Sequence, residues 1–247
     1  MDKEIKVCIV SDAHQDKYIH KFNTKISKIK DSLSENFQHY VCTTNKNLID
    51  VNSEYLKIFE LEELQKRDPK TIQHEQINTV IGYRDYHWNL RRHIINQGFI
   101  DNFDYVIWND CDVDLAVDKQ ILLDELNKYE INNIYTQNTI WTYVKDKEKN
   151  MFANCDKVLS DFNSDINKES LTTHDGPTTI YYFDKEHQKK FIELWDQLTL
   201  YGYETGYFRK GNWFIPNLNY VIGMSKVGLK PASKKFFSIH HVYEDRY

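Results

Sequence analysis

Apolar positions in the first part of the chain form short runs that alternate with stretches of helical spacing. Ile5 to Val10 is an apolar run of strand length, and a polar exit, Ser11 to His14, follows it. Between Lys17 and Phe37 the apolar residues recur every three or four positions, which predicts a helix with one buried face. These apolar residues are Ile19, Phe22, Ile26, Ile29 and Leu33.

The same alternation continues to the middle of the chain. Further strands are predicted at Tyr40 to Thr44 and at Leu56 to Phe59. A charged helical segment at Glu62 to Arg67 and a longer helix at Tyr83 to Phe99 come next. An apolar run at residues 103 to 109 then predicts a buried strand. Strands and helices in this order favour an α/β sheet.

The second half repeats this pattern with more aromatic residues. The chain has 247 residues, which allows one large domain or two small ones. A long polar connection is expected between Lys145 and Lys168. The predicted strands are Ile134 to Tyr143 and Thr178 to Phe183, and the predicted helices are Ile121 to Lys128, Glu186 to Leu200 and Phe214 to Val227.

Composition and charge exclude some classes of protein. An apolar fraction of 40% indicates a globular chain rather than a disordered one. A net charge of -5 gives no general attraction to nucleic acid, so we expect no nucleic-acid partner. The four cysteines form no CxxC pair, and the first apolar run is too short for a signal sequence or a membrane span. We therefore expect a cytoplasmic protein.

Three carboxylates follow the apolar run at residues 103 to 109. Asp110, Asp112 and Asp114 stand at alternate positions, so an extended backbone would place them on one side. Their charges would then repel one another unless a cation lay among them. Oxygen ligands of this kind suit Mg²⁺ or Mn²⁺. We predict that Asp110 and Asp112 hold the metal and that Asp114 caps a helix after Leu115.

The segment Tyr105-Val106-Ile107-Trp108-Asn109-Asp110-Cys111-Asp112, behind an N-terminal strand and an Arg-bearing helix, resembles the DxD region of GT-A-fold glycosyltransferases. The resemblance extends to Thr178 to Trp195 and to Gly202-Tyr203-Glu204-Thr205. It implies a single GT-A-like α/β domain over residues 1–247, with a mostly parallel central sheet flanked by helices. Residues 1–115 would form the Rossmann-like half that binds a nucleotide sugar, and residues 116–247 the acceptor half with a C-terminal metal-ligand segment.

The resemblance also implies an activity. The enzyme would transfer a sugar from a nucleotide-diphosphate sugar to a glycan or another hydroxyl acceptor. A UDP-sugar is the first candidate for the donor. Mn²⁺ or Mg²⁺ on the DxD carboxylates would stabilise the diphosphate leaving group. A lipid-linked glycan acceptor would bring the protein to a membrane surface without an anchor of its own.

A group of arginines is predicted to meet the donor phosphates. Arg84 and Arg91 are seven residues apart and share a helical face, with Arg92 beside it. Guanidinium groups make planar, bidentate contacts with phosphate. The resemblance implies that Arg91 or Arg92 contacts the donor, and that Ser11 and Asp12 bind the nucleoside where the first strand ends. The alternative is a solvated surface helix.

Two neighbouring histidines near the C-terminus, His240 and His241, are further candidate metal ligands, because the resemblance implies a late histidine beside the DxD. Side chains alternate along a strand, so only one of the pair would face the metal.

The general base is less well marked. The segment Tyr201 to Thr205 resembles a Trp-Gly-x-Glu-Asp pattern, but Thr205 stands where the Asp base would be. Glu204 is therefore the first candidate and Asp175 the second, with inversion or retention left open. Trp213 is predicted to offer a flat ring to a bound sugar.

Two other classes remain as alternatives. A haloacid-dehalogenase-like phosphotransferase would use Asp110 as its nucleophile, although that motif normally lies on the first strand. An EF-hand is excluded because Leu115 and Ile121 stand where Gly and Glu are required. A non-catalytic protein that binds nucleotide sugars or carbohydrate stays open.

Overall fold

The computed structural model describes residues 4–13, 16–61, 63, 94, 97–109, 111, 113–115, 133–136, 140–146, 155–161, 167–174, 178–182, 190, 197, 231–233 and 239–241. In chain order the strands are β1 (Val7–Ala13), β2 (Phe37–Thr43), β3 (Leu56–Glu60), β4 (Tyr105–Asn109), β5 (Val113–Leu115), β6 (Asn133–Thr136), β7 (Ile140–Thr142), β8 (Thr172–His174), β9 (Thr178–Tyr182), β10 (Pro231–Ser233) and β11 (Ile239–His241). The helices are α1 (Asp16–Ile29), α2 (Tyr143–Asp146) and α3 (Cys155–Asp161). Short 3-10 turns lie at Lys30–Ser32, Lys46–Leu48 and Lys168–Ser170.

Seven of the described strands form one mixed sheet in the order β10-β6-β9-β4-β1-β2-β3. Strands β3, β2, β1 and β4 are mutually parallel, whereas β9 runs antiparallel to both β4 and β6. Strand β10 is parallel to β6. Because β6, β9 and β10 come from the second half of the chain, both predicted halves contribute strands to the same sheet.

The main core lies between helix α1 and one face of β1, β2 and β4. Ile19, Phe22 and Ile26 on α1 are at most 1% exposed, which agrees with their helical spacing. They pack on strand residues such as Ile9 and Ile107, both 0% exposed. Each such side chain contributes roughly 1.5–3 kcal/mol through burial. This packing fixes α1 against the strands that carry the candidate site.

Aromatic rings cover part of the opposite face of the sheet. The ring of Tyr40 on β2 lies 5.6 Å from that of Phe59 on β3 and 5.7 Å from that of Phe103, centroid to centroid. Phe59 in turn packs 4.6 Å from Phe99. The segment that leads into β4 is therefore held against β2 and β3 before the strand begins.

The α/β fold class with a mostly parallel central sheet is confirmed, and several boundaries differ from the predictions. Helix α1 ends at Ile29 rather than Phe37, because a 3-10 turn follows and Leu33 is extended. Leu33 continues the apolar spacing of the helix because it also packs in the core, from the extended segment after the turn. Strand β1 continues through Ala13, into the segment predicted as a polar exit, because it pairs with β2 up to Thr43. Asp114 lies within strand β5, so the prediction of a helix cap there was wrong.

The predicted helices at Ile121 to Lys128 and Phe214 to Val227 lie outside the described residues. Within Tyr83 to Phe99, Ile94 is helical and 0% exposed, whereas residues 97 to 99 are in a turn. The polar connection between Lys145 and Lys168 contains helix α3. Along the described part of the chain, no helix is long and apolar enough to cross a membrane.

Candidate active site at the carboxyl edge of the sheet

The parallel strands β1, β2 and β4 bring their carboxyl ends to one edge of the sheet. They end at Ala13, Thr43 and Asn109, and the acidic motif, Asp110-Cys111-Asp112, begins at the next residue after Asn109. Ligands of open α/β sheets bind outside the carboxyl ends of the strands. The fold therefore places the motif where a ligand of such a sheet would bind.

The middle residue of the acidic motif is an anchor. Cys111 lies in a turn between β4 and β5, is 5% exposed, and belongs to the core packed against α1. The three aspartates therefore do not follow one continuous strand, contrary to the extended alternation that we predicted. Asp110 and Asp112 themselves lie outside the described residues, so their metal role stays a prediction. The burial of Cys111 was not predicted from the sequence, although an apolar side chain between two aspartates could have indicated it.

Strand β5, directly after Asp112, pairs antiparallel with the C-terminal strand β11. His240 lies opposite Asp114, and His241 lies opposite Val113. This pairing brings the backbone of the late histidines to the residues that follow the motif. Their predicted metal role remains untested, because their side chains lie outside what the structure describes.

Under this edge lies a buried polar network centred on Ser11. The Ser11 hydroxyl donates to the carbonyl oxygen of Asn109 at 2.7 Å. It is also 3.2 Å from Lys25 Nζ and 3.0 Å from His39 Nε2. Lys25 Nζ donates to Asn109 Oδ1 as well. The network ties together β1, β2, β4 and α1.

The network determines the protonation of His39. A carbonyl oxygen can only accept a hydrogen bond, so the single hydroxyl proton of Ser11 is donated to Asn109. His39 Nε2 therefore carries a proton and donates to Ser11, while Nδ1 has no hydrogen-bond partner among the described groups. Burial, followed by the charge of Lys25, lowers the pKa of His39 well below its usual value of 6.5. His39 is thus a neutral imidazole in the core.

Ser11 and Asp12, predicted together as nucleoside contacts, have different surroundings. Ser11 is 0% exposed, and the contacts described for its hydroxyl are with protein groups. Asp12 is the next residue of the strand and pairs with Cys42 on the neighbouring one. Burial, followed by the charge of Asp12, raises the pKa of the Cys42 thiol. The two side chains therefore lie on opposite faces of β1.

The remaining candidates fall outside the described part of the chain. They are Arg84, Arg91, Arg92, Asp175, Glu204 and Trp213. Among the side chains that the structure describes, no group of three His, Cys, Asp or Glu residues could hold a metal ion. The roles of these residues stay predictions.

Comparison with known proteins identifies the fold. No protein-family model and no curated protein matches the sequence. The X-ray structure of the mannosyltransferase Ktr4p from S. cerevisiae is similar, with a TM-score of 0.52 and 10% sequence identity. The similarity covers 97% of this chain and 71% of that chain. The fold is GT-A-like. At this identity, the likeness shows the fold alone.

Two further glycosyltransferase structures are similar to this GT-A-like chain. The galactosyltransferase LgtC, in complex with donor and acceptor sugar analogues, has a TM-score of 0.49 and 13% identity, with 91% of this chain and 73% of that chain covered. The apo structure of the bifunctional glycosyltransferase WbbM has a TM-score of 0.47 and 14% identity, with 95% of this chain covered. This chain spans 39% of the length of WbbM. The GT-A-like fold predicted from the DxD segment is confirmed by the similarity to Ktr4p.

Proposed function

We propose that the protein is a metal-dependent glycosyltransferase that uses a nucleotide-diphosphate sugar, with a UDP-sugar as the first candidate. The observation that carries this proposal is the position of the acidic motif in a GT-A-like fold. The motif follows β4 at the carboxyl edge of the parallel strands, and the strand after it pairs with the histidine-bearing β11. The acceptor would be a glycan, a lipid-linked glycan or another hydroxyl compound.

The predicted metal ligands suit Mn²⁺ or Mg²⁺. Asp110 and Asp112 offer hard oxygen ligands, and His240 or His241 offers an imidazole on the paired strand. A metal bound there would supply positive charge to the diphosphate as it leaves. Cys111, packed in the core, would hold the motif in place between its two aspartates.

The other roles follow from the same proposal. Asp12, near the carboxyl end of β1, would contact the nucleoside, whereas the described contacts of the Ser11 hydroxyl are within the protein. Arg84, Arg91 and Arg92 would contact the donor phosphates. Glu204, or else Asp175, would take the proton of the acceptor hydroxyl. Trp213 would stack on a sugar ring.

Position in the chain favours this proposal over phosphotransfer. A haloacid-dehalogenase-like enzyme would carry the acidic motif on its first strand, whereas here it follows β4, which comes after three other described strands.

A thermal-shift screen tests the proposal. The protein is heated with UDP-, GDP- or CMP-sugars, each with and without MnCl₂. A ligand at 100 times its Kd stabilises the folded state by about 2.7 kcal/mol, so we expect one nucleotide to raise Tm only with Mn²⁺ present. No Mn²⁺-dependent shift with any nucleotide would contradict the proposal. Release of nucleoside diphosphate from the stabilising donor separates an enzyme from a protein that only binds nucleotide sugars.

A further inference from the structure

Lys25 is a buried charge in the middle of helix α1. It is 2% exposed and lies among the core residues of the helix, beside Phe22 and Ile26. Its ammonium Nζ lies 5.8 Å from the centroid of the Phe22 ring. Lysine is almost never buried to this degree unless its charged group has partners. The partners described here are Ser11 and Asn109, at the carboxyl ends of β1 and β4.

These contacts hold the last residue of β4 at two atoms. The ladder between β1 and β4 ends at the pair Val10 and Trp108, one residue before Asn109. Beyond that point the carbonyl oxygen of Asn109 accepts from Ser11, and its side-chain Oδ1 accepts from Lys25. Side-chain bonds therefore continue the attachment between β1 and β4 where the backbone ladder stops. Asp110 is the next residue.

Stability alone does not account for an ammonium in this place. Neighbouring positions on the same face, such as Ile9 and Ile107, are apolar and fully buried. Removing a charge from water is expensive, and replacing a buried charged group together with its partner by well-packed apolar residues is often neutral or stabilising. A charge at this site therefore indicates a task other than holding the core together.

We infer that Lys25 is a positioning residue for the metal carboxylates, acting through Asn109, an inference that rests on the metal site of the proposed function. The ammonium and the Ser11 hydroxyl fix the backbone and side chain from which Asp110 starts. On the far side of Asp110, buried Cys111 supplies the second anchor. Partners that hold metal ligands in place typically change metal affinity about 10- to 100-fold when they are removed.

The test compares Lys25→Met with Lys28→Met. Lys28 lies on the same helix but is exposed, so its substitution removes the same charge without touching the network. Mn²⁺ affinity is measured by calorimetric titration with MnCl₂ alone, and Tm is measured in the absence of metal. We expect Lys25→Met to weaken Mn²⁺ binding about 10- to 100-fold and to lower Tm, because buried Asn109 Oδ1 loses its described donor. Lys28→Met should bind Mn²⁺ like the wild type.

Each other outcome decides the matter as well. Unchanged Mn²⁺ affinity in Lys25→Met would overturn the inference and leave the proposed function standing. Because Lys25→Met alone lowers stability, the double variant Lys25→Met/Asn109→Leu, which replaces both partners by apolar groups, separates the effect on Tm from the effect on metal binding. If the double variant regains the wild-type Tm but not the wild-type Mn²⁺ affinity, the positioning role is supported. If it regains both, the positioning role is overturned. If the wild type binds no Mn²⁺, both the metal site and this inference fail.

Discussion

His240 lies opposite Asp114 in the antiparallel pair formed by β5 and β11. This pairing joins a strand near the C-terminus to the strand that follows the acidic motif. The pairing gives the predicted metal site a backbone framework at the carboxyl edge of the parallel strands.

Removal of the central carboxylate should abolish metal-dependent turnover. In Asp112→Ala we expect sugar transfer with Mn²⁺ to fall about 100-fold or more, because a catalytic metal contributes several kcal/mol to the stabilisation of developing charge. Transfer is measured by release of nucleoside diphosphate, and the fold is checked by circular dichroism. Asp31→Asn, at an exposed 3-10 turn, is the control and should behave as the wild type. Full activity in a folded Asp112→Ala protein would contradict the mechanism.

The two late histidines should differ from each other. Successive residues of β11 alternate between its faces, so one histidine should reach the metal and the other should not. We expect either His240→Ala or His241→Ala, but not both, to weaken Mn²⁺ binding at least about tenfold. Calorimetric titration with MnCl₂ measures the effect, and each variant serves as the control for the other. Equal affinities in the two variants would exclude a histidine ligand chosen by strand alternation.

The Ser11 hydroxyl should matter for stability. Ser11→Ala leaves the carbonyl oxygen of Asn109 and the Nε2–H of His39 without their described partner, so the free energy of unfolding should fall by about 1–3 kcal/mol. Urea unfolding followed by tryptophan fluorescence gives this quantity. Ser27→Ala is the matched control, because Ser27 is exposed and its described hydrogen bond is to Asn23 of the same helix. A loss no larger than that of Ser27→Ala would show that the network does not stabilise the fold.

His39 should make stability depend on pH. Its pKa is well below 6.5 in the folded protein because of burial and the charge of Lys25, whereas the unfolded chain binds the proton near pH 6.5. The stabilisation is therefore fully present above about pH 6.5 and is lost as pH falls toward the folded pKa, by up to about 1.4 kcal/mol per pH unit. Urea unfolding at pH 7, 6 and 5 should give a shallower pH dependence for His39→Gln. The other histidines are common to both proteins, so parallel curves would show that His39 takes up a proton while folded.

Local patterns in the sequence predicted much of the architecture. Helical spacing of Ile19, Phe22 and Ile26 marked the buried face of α1, and apolar runs marked β1 to β4 and β9. These signals are local, because a helix or strand repeats its own buried positions every few residues. The same spacing extended α1 too far, since Leu33 packs in the core from an extended segment. Apolar periodicity reports burial and does not distinguish the end of a helix from a turn that returns to the core.

The sequence by itself determined the α/β alternation and the acidic motif after a buried strand, because both are written in neighbouring residues. Tertiary structure alone decided which distant residues meet. It joined Ser11 to Asn109, paired β5 with β11, and buried Lys25 against Asn109. A lysine in a helical pattern is expected in water, and only contact with partners from other elements makes its burial favourable. Such contacts depend on how helices and strands pack against one another. The spacing of residues along one element does not predict that packing.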